Sequence, residues 1–332
     1  MKAFVITKYG EPLREADVAE PAMGEGDVLV QVQAAGLNQL DEKIRRGEFK
    51  QILPYKLQLI LGNDAAGTVL RVGDKVRRFK PGDEVYGRPA KDRIGTFAER
   101  IAVAEEDLAL KPASASMAEA GSLPLVALTA WQALVEQGNV RPGQKVLIHA
   151  GAGGVGSIAI QLAKHLGATV ATTASGSNAA FVRELGADVV IDYRNEDFEQ
   201  HLSGYDLVLD SLGGANLEKS LRVLKPGGKA IGISGPPDPE FARKEGLNPV
   251  LRLAVTLLSS RIRRQARKLR VSYEFLFMRA SGDQLRRIGA LVDDGVLRPV
   301  VGRVFDFAQT PQALQSLAGG GIRGKAVLTL TH

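Results

Sequence analysis

At 332 residues the chain is long enough for two domains and a large buried core, and its 45% apolar and 24% charged residues are ordinary for a globular protein. It contains no cysteine, which excludes disulfides, thiolate nucleophiles and cysteine-ligated zinc together. The net charge is +6, and six of the basic residues fall in RIRRQARKLR, Arg261 to Arg270. The balance elsewhere is near neutral, which argues against a nucleic-acid groove along the whole molecule.

The first 120 residues predict β structure. FVIT, VLVQVQAAG and GTVLRVG are short strands rich in branched residues, and PGDEVYG, residues 81 to 87, reads as a turn followed by a strand. PLVALTAWQALVEQG predicts a helix ended by Gly138. A regular alternation then begins: strand KVLIHA, helix GGVGSIAIQLAKHLG, strand TVATTAS, helix NAAFVRELG and strand DVVIDY. It continues with a short helix over 198–202, strand YDLVLDS, helix ANLEKSLRVL and strand GKAIGIS. Alternation at this spacing predicts a doubly wound parallel α/β sheet with right-handed crossovers.

The pattern breaks over residues 236–270. There Leu251, Val255, Leu258, Ile262, Ala266 and Leu269 recur every three or four residues, predicting the buried stripe of one amphipathic helix with a basic outer face. Strand SYEFLFM and a helix over 282–292 follow. The tail, to GKAVLTL, returns to β character and is expected to complete the first domain. The expected domains are a β-rich catalytic domain (1–122 and 280–332) and a Rossmann domain (123–279) with the helical insertion at 236–270. The opening MKAFVITKYG lacks the apolar core of a signal peptide, and no apolar run reaches the roughly 18 residues that a membrane-spanning helix needs. The expectation is a cytoplasmic protein without integral membrane association.

HAGAGGVG, residues 149 to 156, directly follows the first strand of the alternating region and opens its helix. Gly151, Gly153 and Gly156 form G-x-G-x-x-G, a weak pattern alone and a far stronger one inside a βαβ unit. Gly151 would permit the tight turn. Gly153 would let the backbone approach a pyrophosphate, and Gly156 would let helix pack on strand. The N–H groups at Gly154 and Val155 would then face the anion. His149 reads as an ordinary strand residue. An NAD site usually places a carboxylate near the end of the second strand to hold the ribose 2′-hydroxyl. Here no acidic residue occurs from Gly151 through Arg183. Ser175, Ser177 and Asn178 can instead donate to a 2′-phosphate, with Tyr193 reaching the same place from the third strand, so the expected cofactor is NADPH.

The strand-rich first domain, the glycine loop, PGDEVYG and the closing GKAVL together resemble the medium-chain dehydrogenase/reductase superfamily over nearly the whole chain except 236–270. LNQLDEKIRRGEF, LGNDAAGTVLRVG, SLPLVALTAWQAL and LGADVVIDYRNEDF resemble its zinc-independent quinone oxidoreductase and enone reductase branch. The resemblance implies a GroES-like first domain. Where zinc-dependent members carry a ligand cysteine, this chain has Asn38. Where they carry Gly-His-Glu, it has Gly62-Asn63-Asp64. The histidines, His149, His165, His201 and His332, show no ligand spacing, so no metal is expected.

The resemblance further implies that Asn38 and Lys43 lie near the nicotinamide, with Asn38 also able to hydrogen-bond a substrate carbonyl. It places Thr129 near the nicotinamide phosphate or ribose. Leu212, Ile233 and Ser234 would line the nicotinamide pocket, and Ile322 and Arg323 would close over the cofactor. Phe49, Tyr55, Trp131, Tyr273 and Phe277 are candidates for an apolar substrate wall, and Tyr55 is a candidate proton donor. The expected activity is NADPH-dependent, metal-free reduction of a quinone or α,β-unsaturated carbonyl by a homodimer. An enoyl-thioester reductase and a non-catalytic NADPH-binding protein are the alternatives.

Overall fold

The computed structural model describes residues 1–331; His332, one of the four histidines above, lies outside them. The chain divides into two compact units, Met1–Leu128 with Arg279–His332, and Thr129–Met278.

The first unit is built on a sheet whose long strand, Asp27–Gly36, is buried along most of its length. That strand pairs antiparallel with Ala65–Val72 and Arg100–Ala104. From Ala65–Val72 the sheet runs on through Glu84–Gly87 to Leu108–Leu110. On its other side lies the tail strand Lys325–Thr329, antiparallel, with Val327 opposite Gly36 and Thr329 opposite Ala34. Strand Val301–Asp306 pairs parallel with the tail strand at the sheet edge. A smaller sheet joins Arg14–Asp17, Lys2–Ile6 and Leu59–Ile60. Phe4, Val30, Val85 and Leu328 from the strands, with Leu61 and Phe97 from the segments between them, belong to one buried cluster. The tail thus returns to the first unit, as its composition suggests.

The second unit is a six-stranded, wholly parallel sheet: Lys145–Ile148, Thr169–Ala174, Val189–Asp192, Tyr205–Asp210, Leu224–Gly232 and Ser272–Phe275. In space they lie third, second, first, fourth, fifth, sixth. This is the doubly wound order, whose direction reverses between the first and fourth strands.

Two local expectations are corrected. The helix expected to run to Gly138 is α-helical only over Pro124–Trp131, and Gln132–Gln137 widens into a π-turn. There the Gly138 N–H reaches back to the Ala133 carbonyl at 2.8 Å, one residue further than an α-turn allows. The single helix expected over 250–270 is two, Pro249–Leu258 and Ser260–Lys268, preceded by a short helix Pro239–Lys244. Ser259 separates them, its hydroxyl donating to the Val255 carbonyl at 2.9 Å, a back-bond that bends helices. Val255, Ile262 and Ala266 are buried as expected, but Leu258 is exposed and the buried position beside it belongs to Ser259.

Candidate functional site

The first strand of the parallel sheet ends at Ile148, and the loop helix Gly154–His165 starts six residues later. The three motif glycines are not equally constrained. A methyl on Gly151 would lie 2.2 Å from Thr172 Oγ1, and one on Gly156 would lie 2.3 Å from the Ala150 carbonyl oxygen. Both are needed for the close packing of loop, helix and strand. Gly153 has φ −82°, which any residue adopts, and a methyl there would meet only the Ala150 oxygen, at 3.3 Å. Backbone strain does not require glycine at 153, and its packing constraint is milder than at 151 and 156: the Ala150 carbonyl would have to give by a few tenths of an ångström.

No side chain caps the loop helix, and its Ser157 N–H donates to the Gly153 carbonyl. The N–H groups of Gly154, Val155 and Gly156 therefore emerge from the helix end without an intrahelical partner. Unspent donors and the positive end of the helix dipole fit a phosphate.

The second strand ends at Ala174, and the turn beyond it gathers the expected polar groups. Ser175 Oγ and Ser177 Oγ are 3.1 Å apart, and Asn178 Nδ2 donates to Ser175 Oγ at 3.1 Å. Tyr193, just past the third strand, is exposed with the Arg194 guanidinium near its ring. One carboxylate approaches this turn unannounced by the sequence pattern. A methyl on Gly176 would lie 2.8 Å from Asp192 Oδ2. Asp192 ends the third strand rather than the second, and its carboxylate accepts from Asn195 Nδ2 at 2.8 Å and from the Arg194 N–H at 3.1 Å. Leu212, about half exposed, and the segment with Ile233 and Ser234 follow the fourth and fifth strands. Topology thus brings all these positions to the carboxyl ends of the parallel strands, where open α/β sheets bind ligands.

Beneath the loop lies a hub that sequence reasoning passed over. His149 is buried, with Nδ1 3.1 Å from Thr173 Oγ1 and Nε2 2.9 Å from Ser220 Oγ. The one Ser220 hydroxyl hydrogen has the Asn216 carbonyl at 2.8 Å and Asp210 Oδ2 at 3.2 Å as its acceptors, which leaves Ser220 Oγ to accept from Nε2–H and Nδ1 to accept from Thr173. Burial holds the imidazole pKa below its usual value, consistent with this neutral form. Ser220 Oγ lies 3.2 Å from Asp210 Oδ2, and Asp210 Oδ1 accepts the N–H groups of Leu212 and Gly213. One buried chain therefore ties the glycine loop to the loop after the fourth strand. Only the placement of His149 directly after an apolar strand hinted at this.

The first unit holds a second buried network. Lys325 Nζ donates to Asn38 Oδ1 at 2.5 Å, to the Leu37 carbonyl at 2.7 Å and to Asp64 Oδ2 at 3.1 Å. Asn38 Nδ2 donates to Asp64 Oδ2 at 2.9 Å and to the Gly36 carbonyl at 3.3 Å. Asp64 Oδ1 accepts the Leu125 N–H at the start of helix Pro124–Trp131. Asp41 accepts from Asn63 Nδ2 and the Asn38 N–H, both at 2.7 Å. Burial dominates that carboxyl and raises its pKa to about 7. Arg88 donates to Asn63 Oδ1 at 3.3 Å while its Nε is buried without a partner among the described residues.

This arrangement differs from two expectations. Both hydrogens of the Asn38 amide are engaged inside the unit, leaving none for a substrate carbonyl. The Tyr55 hydroxyl donates to the Lys91 carbonyl at 2.5 Å, and burial pushes its pKa up to about 12. The expected aromatic wall is also dispersed. Phe49 and Tyr55 pack on the core of the first unit. Tyr273 is buried in the second, donating to the Pro236 carbonyl at 2.8 Å, and Phe277 packs on Phe241. Trp131 is half-buried in its helix. Lys43 and Ile322, half-buried, and exposed Arg323 belong to the first unit, while buried Thr129 opens the second.

The donor set at the positions aligned with zinc ligands does not fit zinc. Two are amides, and the one carboxylate, Asp64, is neutralised by an ammonium group. Among the described residues no three His, Cys, Asp or Glu side chains are grouped to hold a metal.

Residues 24–113 match the alcohol dehydrogenase GroES-like domain, and residues 185–328 match the zinc-binding dehydrogenase domain. The chain is 37% identical to the mitochondrial NAD(P)H oxidoreductase RTN4IP1 of Danio rerio, over 99% of this chain and 91% of that protein. It is 36% identical to the chloroplastic NADPH-dependent alkenal/one oxidoreductase of Arabidopsis thaliana, over 99% of this chain and 79% of the other. The quinone oxidoreductase of Coxiella burnetii superimposes with a TM-score of 0.88 at 33% identity, covering 100% of this chain and 99% of that one. With a GroES-like unit, a doubly wound sheet and such relatives along its whole length, the chain belongs to the medium-chain dehydrogenase/reductase superfamily, in its zinc-independent quinone oxidoreductase and enone reductase branch.

Proposed function

We propose that this chain is an NADPH-dependent, metal-free reductase of quinones or α,β-unsaturated carbonyl compounds. The observation that carries the dinucleotide reading is the set of N–H groups that the loop helix, uncapped by any side chain, leaves unspent at the carboxyl end of the first parallel strand. In this reading the backbone at Gly153, Gly154, Val155 and Gly156 binds the pyrophosphate. Ser175, Ser177, Asn178 and Tyr193 surround the 2′-phosphate, with Arg194 adding positive charge and Asp192 kept occupied by Asn195. Leu212, Ile233 and Ser234 line the nicotinamide. Lys43, Thr129, Ile322 and Arg323 keep the cofactor contacts that the resemblance implies, and Asn38 acts by holding its loop rather than by touching substrate. NADPH supplies the hydride when bound.

Activated acceptors suit a site without a Lewis acid. The β-carbon of an enone, or a quinone, is electrophilic enough for hydride addition, and the chain has only to orient it and stabilise developing oxyanion charge. With the Tyr55 hydroxyl donated to Lys91, the reading takes the completing proton from water. Relatives named for alkenal/one and quinone reduction support it.

The test is NADPH oxidation by purified protein against a panel of quinones and enones, with NADH and an enoyl-CoA alongside. Turnover of a quinone or enone with NADPH preferred is expected. Tight NADPH binding with no turnover of any acceptor would point to a non-catalytic binding protein. Faster turnover of the enoyl-CoA would assign a thioester substrate, and a preference for NADH would remove the 2′-phosphate from the assignment.

A further inference from the structure

Helix Pro249–Leu258 turns an apolar stripe to solvent. Val250, Leu253, Leu257 and Leu258 are 61–76% exposed, with exposed Ala254 among them. Their spacing places all five on one face of the helix. The other face, Leu251 and buried Val255, continues through buried Ser259 to Ile262 and Ala266 of helix Ser260–Lys268. The exposed stripe therefore runs on at the same spacing into Arg261, Arg264 and Lys268, all exposed. From Pro249 to Arg270 there are seven basic residues and no acidic one, while the rest of the chain carries one more acidic than basic residue.

We propose that this face docks on an anionic phospholipid surface, the leucines and valine entering the boundary between headgroups and acyl chains and the arginines and Lys268 meeting lipid phosphates. Charge selects this occupant. A second copy using the same patch would face a basic surface with a basic surface, because a two-fold contact pairs a patch with itself. Glu218 is the acidic group bonded to the stripe, at 3.0 Å from Arg261. Arg263 is turned back onto Ser259 and Thr256. Arg252, Arg264, Arg267, Lys268 and Arg270 remain exposed. Contiguous exposed apolar side chains beside such a cluster mark an interaction surface, and among the described residues no helix is long and apolar enough to cross a membrane. The docking is therefore peripheral, and it stands independently of the reductase reading.

Co-sedimentation of the full chain with vesicles tests it, comparing phosphatidylcholine containing phosphatidylglycerol with phosphatidylcholine alone. The chain is expected to pellet with the anionic vesicles only and to be released by added salt. Arg264→Glu with Lys268→Glu should lower vesicle affinity by about fivefold or more per charge, and Leu253→Ser with Leu257→Ser by about tenfold or more. All four side chains are exposed, so unchanged melting temperatures verify that the variants are folded. Three results would each overturn the proposal: no binding to either vesicle, equal binding to both, or a dimer that the serine variant dissociates while vesicle binding is absent. The last would assign the face to a second copy.

Discussion

Lys325 shows what one side chain can change. Its ammonium is almost wholly buried, bonded to Asp64 and Asn38 and to the Leu37 carbonyl. Lysine is rarely buried unless paired, and here it neutralises a carboxylate that is itself fully buried. Removing one partner of a buried pair leaves an uncompensated charge, at a cost of about 3–5 kcal/mol. Lys325→Met is therefore expected to lower stability by that amount in denaturant unfolding. Lys325→Met with Asp64→Asn should recover part of the loss, because the stranded charge is gone. A double variant destabilised by the sum of the Lys325→Met and Asp64→Asn losses would show that the pair is not coupled. The sequence held no sign of this role, since GKAVL reads as a closing strand. Lys325 meets Asn38 only because the tail strand pairs with Val327 opposite Gly36, a long-range register that local pattern does not encode.

At the scale of elements, the strand–loop–helix unit around residues 145–165 was the most legible part of the chain. Its glycines sit at fixed offsets after a β-branched strand, and that local geometry specifies both turn and helix start. The structure separates their duties. Gly153→Ala is expected to lower the melting temperature of the ligand-free protein less than Gly151→Ala or Gly156→Ala, because its methyl meets the Ala150 oxygen at 3.3 Å against contacts of 2.2 and 2.3 Å at the other two, yet to weaken NADPH binding by at least about tenfold, measured by calorimetry. A variant that binds NADPH like the wild type would remove the cradle from the assignment. The insertion was legible in period and, but for one position, in phase. A buried stripe was correctly placed on Val255, Ile262 and Ala266, while Leu258 belongs to the opposite, solvent-facing side. The buried stripe keeps its spacing through Ser259, and a hydropathy pattern reads serine as a surface residue.

Over the whole molecule, stability integrates groups that no single element contains. Burial raises the carboxyls of Asp41 to about 7 and Asp107 to about 6. A carboxyl whose folded-state pKa lies above its unfolded value favours folding fully below the unfolded pKa, and that contribution is lost as pH rises through the folded pKa. These two groups therefore subtract stability between about pH 4 and pH 7. Asp27, held below its usual range by Arg93, acts with the opposite sign and loses its contribution as pH falls. In Asp41→Asn the slope of melting temperature against pH over that window is expected to become more positive than in the wild type. Parallel profiles would show that Asp41 does not titrate there.

The sequence by itself determined the elements whose causes are local: the alternation that builds the parallel sheet, the glycine loop that opens its helix, and the hydroxyl and amide residues after the second strand. It also showed the loss of zinc-ligating side chains, because ligand chemistry resides in residue identity. Tertiary structure alone decided which polar groups are already spent. Asn38 and Tyr55 are held inside the first unit, His149 is joined to Asp210 through Ser220, and Asp192 is brought beside Gly176 from a different strand. A side chain's chemistry depends on hydrogen-bond partners distant in the chain, and those exist only once strand register and helix packing have set them side by side.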